Sequence, residues 1–371
     1  MTKQARWKAA GFIYGSASHY IDHLAPICSA LEIPLIVTEE ELYNLIKQFY
    51  PDVHPQLLGR IETPKYLTSH LDSAFVCTPR ILFDELCFFA QKLEGKKVHT
   101  LWVPHGNSDK GHVIPYMEGL QNEEMALVYG QKMIDFMQDK GAFSQLKAHV
   151  VVGDYRRAYY LRNKAFYDSA LARKIDRQIP IGKKVALYAP TWRDAESSSS
   201  FLDVTPDLIQ TIPKHWHLII KLHPNLLFDD EKNIHALIEA YQTHPQVTFL
   251  AAFPPVMPVL ARTDVFIGDL SSMGYDCLGF NKPMFFINHS ERSALSDPGL
   301  ALYKCGVEIR KEHYSNIYSI IEASCKNDSR FHEIRAKTYN YTFGPRKSAE
   351  TLKKDIEKCY EKFPDPDLNF Y

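Results

Sequence analysis

The sequence predicts an α/β chain with two Rossmann-like, doubly wound parallel-sheet domains. Three observations predict it. Short apolar runs alternate with helical patterns through both halves of the 371 residues, the rhythm of parallel βαβ crossovers. A loosened stretch at Arg177–Lys184, with Pro180 and Gly182 inside it, separates the two series. The stretch from Thr263 to Asn288, TDVFIGDLSSMGYDCLGFNKPMFFIN, then holds a complete unit. It opens with the apolar run Val265–Ile267 and the polar turn Asp269-Leu270-Ser271-Ser272. A helical face of Met273, Cys277, Leu278 and Phe280 follows, and past Pro283 comes the run Met284–Ile287. Strand, turn, helix and strand in that order are most economically joined as a parallel unit.

The remaining elements follow the same logic. In the first half, apolar runs predict strands at Ala9–Tyr14, Ile33–Val37, Ser73–Cys77, Val98–Val103, Ala126–Tyr129 and His149–Val152. Ser18 is placed to cap a helix through about Leu31, and a second helix spans about Glu39 to Phe49. Pro79 suits a first helical position, where its missing N–H is not needed, and predicts a helix to about Leu93. Asp154–Ala172 reads as helical and basic. In the second half, Val185–Tyr188, His217–Leu222 and Val247–Leu250 precede the 263–288 unit. Composition makes AESSSS (195–200) a flexible loop. Beyond Tyr314 the pattern is helical, with a last helix near Lys347–Lys362 and an irregular tail, PDPDLNFY. The expected domains are 1–175 and 176–345, with 346–371 a C-terminal helix and tail packing back on the first domain.

Composition narrows the function. A hydrophobic fraction of 45% and a charged fraction of 23% are ordinary for globular domains. A net charge of −1 supplies no global pull toward nucleic acid. No apolar run approaches membrane-spanning length, and the opening MTKQARWKAAGF lacks a signal-peptide core. Seven scattered cysteines without a Cys-x-x-Cys spacing fit reduced, buried thiols of a cytoplasmic protein better than a disulfide or zinc framework. His215 and His217 share one face of a strand start but have no third ligand near in sequence, so no metal site is expected.

Ligands of doubly wound sheets bind beyond the carboxyl ends of strands, and two such sheets in one chain are expected to leave a cleft. The polar residues that directly follow strand runs are therefore the candidates. They are Thr191, Arg193 and Asp194 after one run; Lys221, His223 and Asn225 after another; and Asp269, Ser271 and Ser272 after a third. In the first half, His105-Gly106-Asn107-Ser108-Asp109-Lys110 and Gly153-Asp154-Tyr155-Arg156 occupy equivalent places. At a strand end leading into a helix, free N–H groups and the positive dipole end favour a phosphate. The plainer alternative is that Ser271 only caps its helix.

The set YAPTWRD (188–194), KLHPN (221–225) and TDVFIGDLSSMGYDCLGFNKPMFFIN (263–288) resembles the CDP-glycerol glycerophosphotransferase family of teichoic-acid polymerases and primases. VPHGNSDKG (103–111), VVGDYR (151–156) and YTFGPRKSAETL (341–352) resemble that family's His-Gly turn, Val-x-Gly-x-x-Arg turn and closing segment. The resemblance spans roughly 100–350 and is most specific in the second half. Leu270 stands where the family usually has Tyr, Trp102 is displaced from its usual place beside the His-Gly pair, and the closing segment lacks the usual Asp-Gly pair. The resemblance implies the two-domain GT-B fold, with the acceptor side in the first domain and the nucleotide donor on the second. It implies transfer of phosphoglycerol from a CDP-activated donor to an acceptor hydroxyl on a cell-envelope glycan or glycolipid, with release of CMP. It implies no cofactor beyond that nucleotide substrate, and work in the cytoplasm at the inner face of the membrane by peripheral contact.

The residues take roles on chemical grounds. Such transfer rests on positioning and charge stabilisation. A hydroxyl nucleophile benefits from a base that titrates near neutrality, which singles out His105. His223, its turn fixed by Pro224, would contact the donor phosphates or protonate the leaving one. Ser271 and Ser272 would hold the pyrophosphate, with Thr191 and Asp269 in the same donor-side turns, and Arg193 and Lys221 offsetting its charge. Asp276 would hold ribose or glycerol hydroxyls. Lys110, in a loop that closes on substrate together with His112, and Arg156 would face the acceptor. Three other readings stay open: a glycosyltransferase of the same fold using a nucleotide sugar, an epimerase acting on a UDP-sugar, and a nucleotide-binding protein without turnover.

Overall fold

The computed structural model describes residues 8–78, 88, 91–92, 95–96, 98–111, 120, 123–194, 196, 199–229, 231–289 and 292–361. His112, the helix start expected at Pro79 and the PDPDLNFY tail lie outside the described residues. The chain forms two compact units. The first holds Met1–His105, Met117–Tyr159 and Phe343–Tyr371; the second holds Gly106–Tyr116 and Tyr160–Thr342.

Seven described strands make the first sheet: β1 (Ala9–Ile13), β2 (Leu35–Val37), β3 (Pro55–Leu57), β4 (Ser73–Val76), β5 (His99–Trp102), β6 (Met125–Val128) and β7 (Ala148–Val151). Their order is β3-β2-β1-β4-β5-β6-β7, every pair parallel. β1, β2 and β4 are buried along their whole length, because helices cover both faces of a parallel sheet. The sequence expectation omitted β3. Its residues Gln56 and Leu57 are exposed, and it begins with Pro55, so it carries no apolar run. An edge strand tolerates that proline because one side of it has no ladder to feed.

The second sheet repeats the plan with β8 (Lys184–Ala189), β9 (Trp216–Lys221), β10 (Val247–Leu250), β11 (Val265–Gly268), β12 (Met284–Asn288) and β13 (Val307–Arg310). The order is β10-β9-β8-β11-β12-β13, again all parallel. Ile267 of β11 pairs with Tyr188 on one side and Phe285 on the other, which seats the 263–288 unit at the centre of the sheet. Its core is packed by Trp216, Phe201, Ile220, Ile267, Phe285 and Ile317. β13 was also unforeseen, because half-buried Val307 and Glu308, buried Ile309 and exposed Arg310 alternate apolar with charged and form no run.

Two expectations about the helices are corrected. Asp154–Ala172 is two helices, Tyr155–Arg162 and Lys164–Lys174, parted at Asn163, whose φ of −102° and ψ of 23° leave the helical region. The 175/176 boundary falls inside the second unit, since the helix Lys164–Lys174 packs on Val256–Arg262 there. The last helix, Ala349–Tyr360, capped by the Ser348 hydroxyl on the Thr351 N–H, lies against Ile21–Leu31 and β7 in the first unit.

Candidate active site

The strand order of the second sheet reverses between β8 and β11. Loops leaving two such neighbours head in opposite directions and leave room between them. The loops after β8 and β11 are tied together by one carboxylate. Asp269, the residue after β11, accepts the Thr191 N–H at 2.9 Å, and the Ser200 N–H and hydroxyl at 3.0 and 2.9 Å. The Tyr188 hydroxyl continues the chain at 2.8 Å from Ser200 Oγ. Burial pushes the Asp269 carboxyl upward, while the bonds from Ser200 and Thr191 pull it back. Asp269 was expected among the phosphate contacts. Its two oxygens instead hold the loops, as a buried carboxylate must be held.

The segment after β5 is woven into this unit. Gly106 adopts a φ of +132°, and a Cβ there would come within 2.7 Å of Ser272 Cβ and Oγ. Only glycine suits that backbone and that approach. Asp109 is buried; one oxygen accepts the Tyr275 hydroxyl at 2.5 Å and the other the Leu302 N–H at 3.0 Å. Lys110 Nζ donates to Thr191 Oγ1 at 2.6 Å and pairs with Asp194 at 2.6 Å. The Gly111 N–H reaches Glu196 at 2.8 Å. Lys110 was expected on the acceptor side. It stands instead with Thr191 and Asp194 in the second unit, because Asp109 and Gly106 anchor its loop there.

Around this centre the other expected residues take separate places. Lys221 closes β9 and is buried, and Asp276 is buried in the helix Met273–Leu278. That helix has six residues and ends before Phe280. Ser271 is buried, with Oγ 3.4 Å from the Met273 N–H, and Ser272 is half-buried. His223 Nδ1 accepts the Asn225 N–H at 3.1 Å. Nε2 therefore carries the proton of the neutral ring and is the nitrogen that donates outward. The Trp192 ring lies 6.4 Å from it. Arg193 is exposed.

The first unit treats its candidates differently. Arg156 is buried, with its guanidinium on Asp22 through Nε at 3.1 Å, and Tyr50 donates to the same carboxylate at 2.8 Å. Its expected role toward the acceptor is thereby corrected to an internal ion pair, since a guanidinium taken out of water needs a carboxylate. His105 is half-buried and its Nδ1 is sealed from solvent. Its ring centroid lies 5.3 Å from Tyr20 and 6.3 Å from His19. Burial pushes its pKa down to about 4, opposed by a hydrogen bond with the Cys77 backbone. The imidazole is therefore neutral across the physiological range.

His215 Nε2 meets Glu322 at 2.7 Å and His217 Nε2 meets Thr248 at 2.9 Å, so the two rings serve separate contacts. Among the described residues, no three His, Cys, Asp or Glu side chains are grouped to hold a metal. Sequence reasoning placed Asp109 and Asp194 in candidate turns without giving them a role, and missed Ser200 and Tyr275 as parts of the site. Asp109 lay within a quoted motif, but its partners are distant in the chain. Ser200 was hidden in a stretch whose composition signals a flexible loop.

Residues 120–292 match the family model described as CDP-Glycerol:Poly(glycerophosphate) glycerophosphotransferase. The teichoic acid ribitol-phosphate polymerase TarL of Staphylococcus aureus is 24% identical over 179 residues, covering 46% of this chain and 30% of that protein. The chain thus spans less than a third of the curated relative's length. The wall teichoic acid polymerase TagF superposes with a TM-score of 0.63 at 16% identity, covering 95% of this chain and 90% of that structure. The Anabaena protein HepE, solved in complex with UDP-glucose, gives a TM-score of 0.58 at 10% identity over 96% of this chain and 99% of its own. At these identities the structural likeness speaks to the fold, which is of the GT-B type expected. The resemblance read from the turn motifs is thus borne out over residues 120–292, where the chain is similar to the glycerophosphotransferase family model.

Proposed function

We propose that the protein transfers a phosphoglycerol or related phospho-alcohol group from a CDP-activated donor to an acceptor hydroxyl on an envelope glycan or glycolipid, releasing CMP. The observation that carries this reading is the joined β8 and β11 turns. Asp269 holds them, and Lys110, Thr191, Ser271 and Ser272 gather on them. A diphosphate suits that place. Lys110 and Arg193 offset its charge, and the Ser271 and Ser272 turn supplies donors.

In the transfer, the acceptor oxygen bonds to the donor's β-phosphorus. The bond from that phosphorus to the bridging oxygen breaks, and CMP departs. His105 takes the hydroxyl proton. His223, protonated at Nε2, donates to the departing phosphate. The chemistry needs no cofactor beyond the nucleotide. No helix of the described residues is long and apolar enough to cross a membrane.

The test is CMP release from CDP-glycerol with phosphoglycerol or glycolipid acceptors, alongside thermal shifts with nucleotides. Stabilisation by CDP-glycerol and acceptor-dependent CMP are expected. Stabilisation by UDP-sugars alone would favour an enzyme that uses a nucleotide sugar.

A further inference from the structure

The Tyr129 hydroxyl has His23 and the Pro104 carbonyl among its buried partners in the first unit. It lies 3.0 Å from His23 Nδ1 and 3.2 Å from the Pro104 carbonyl oxygen. A phenol has one proton to give. The carbonyl can only accept, so the phenol proton goes to Pro104, and His23 must donate its own Nδ1–H to the phenol oxygen. That fixes His23 as the Nδ1–H tautomer. Tyr155 braces the pair: its ring stacks 5.8 Å from Tyr129, and its hydroxyl donates to the His23 carbonyl at 3.1 Å. The accepting carbonyl belongs to the peptide that joins Pro104 to His105.

We propose that His23 and Tyr129 are positioning residues that hold the Pro104–His105 peptide, and so aim the His105 imidazole at the acceptor hydroxyl. This rests on His105 being the base of the proposed transfer. Burial, with the charge of Arg156 and the nearby His105 and His19, drives the His23 pKa well below its ordinary value. His23 therefore stays neutral in the working range, and the direction of each hydrogen bond in the chain stays fixed. The neighbouring Tyr20 and His19 rings limit where the His105 ring can go once its backbone is set.

The experiment compares wild type with Tyr129→Phe, His23→Ala and His23→Gln. Tyr129→Phe removes the shared hydroxyl and keeps the ring. It should melt near wild type and lower kcat for CMP release about tenfold, the scale of a misaimed catalytic group, with donor KM changed less than about twofold. His23→Gln, whose amide can still donate to the phenol, should recover most of the rate that His23→Ala loses. Imidazole 15N NMR should show His23 protonated at Nδ1 and the His105 ring signals displaced in Tyr129→Phe. A folded Tyr129→Phe with wild-type kcat and unmoved His105 signals overturns the proposal, as does His23 protonated at Nε2. Full activity in His105→Ala would instead remove His105 as the base, and the NMR comparison would still decide whether Tyr129 positions it.

Discussion

The two units share a strand plan and treat their cations in opposite ways. In the first, Arg156 has a side chain 3% exposed and is committed to Asp22. In the second, Lys110 is 16% exposed on Thr191 and Asp194, and Arg193 is in solvent. Both kinds of residue follow a strand at its carboxyl end, so position in the fold alone does not make a cation available for ligand. Burial decides it. A fully desolvated guanidinium must keep its carboxylate, whereas a cation at the rim can exchange a side-chain partner for a phosphate at little cost.

The largest effect that would break this contrast is at Arg156. Arg156→Met leaves Asp22 buried without its cation and should cost about 3–5 kcal/mol in urea unfolding, while acceptor KM of the folded protein stays unchanged. An altered acceptor KM would restore a binding role to Arg156. Arg193→Met should shift stability by less than about 0.5 kcal/mol and act instead on donor KM. Next comes His105→Ala, expected to lower CMP release about a hundredfold, the usual scale for a general base, with folding intact by circular dichroism. Asp269→Ala strands the buried Thr191 and Ser200 donors and should cost about 2–3 kcal/mol, read as a lower urea midpoint. A midpoint equal to wild type would mean that the β8 and β11 loops are held by something else.

The smallest effect concerns pH. The folded His105 pKa of about 4 lies below that of an unfolded histidine, about 6.5. Between these values the unfolded chain binds a proton that the folded chain refuses. The contribution to stability is therefore full above about pH 6.5 and is lost as pH falls toward 4. His105→Gln should flatten that part of the unfolding profile. In the free enzyme, the acid limb of kcat/KM should lie well below the titration range of an ordinary imidazole; a limb near 6.5 would show that His105 is not the base.

Local sequence carried much of the fold. Every strand buried along its length announced itself as an apolar run, because a parallel strand covered on both faces has no room for polar alternation. The exceptions, β3 and β13, are half-exposed edges. The turn motifs lie at strand ends, where backbone N–H groups are free. The motifs did not say which of their residues bind and which build. Asp269 and Asp109 carry the same charge and both sit beside candidate residues, yet both turned out to hold loops.

The sequence by itself determined the two Rossmann-like sheets, the family likeness and the strand-end location of the polar residues, because these follow from periodicity and contiguous motifs. Only the tertiary structure decided that residues 106–111 belong to the second unit, that Asp269 is a tie between loops, and that Arg156 is spent on Asp22. Each of those depends on a partner far away in the chain. Whether a charged group is desolvated, and by what it is matched, is a property of neighbours that no local stretch of sequence contains.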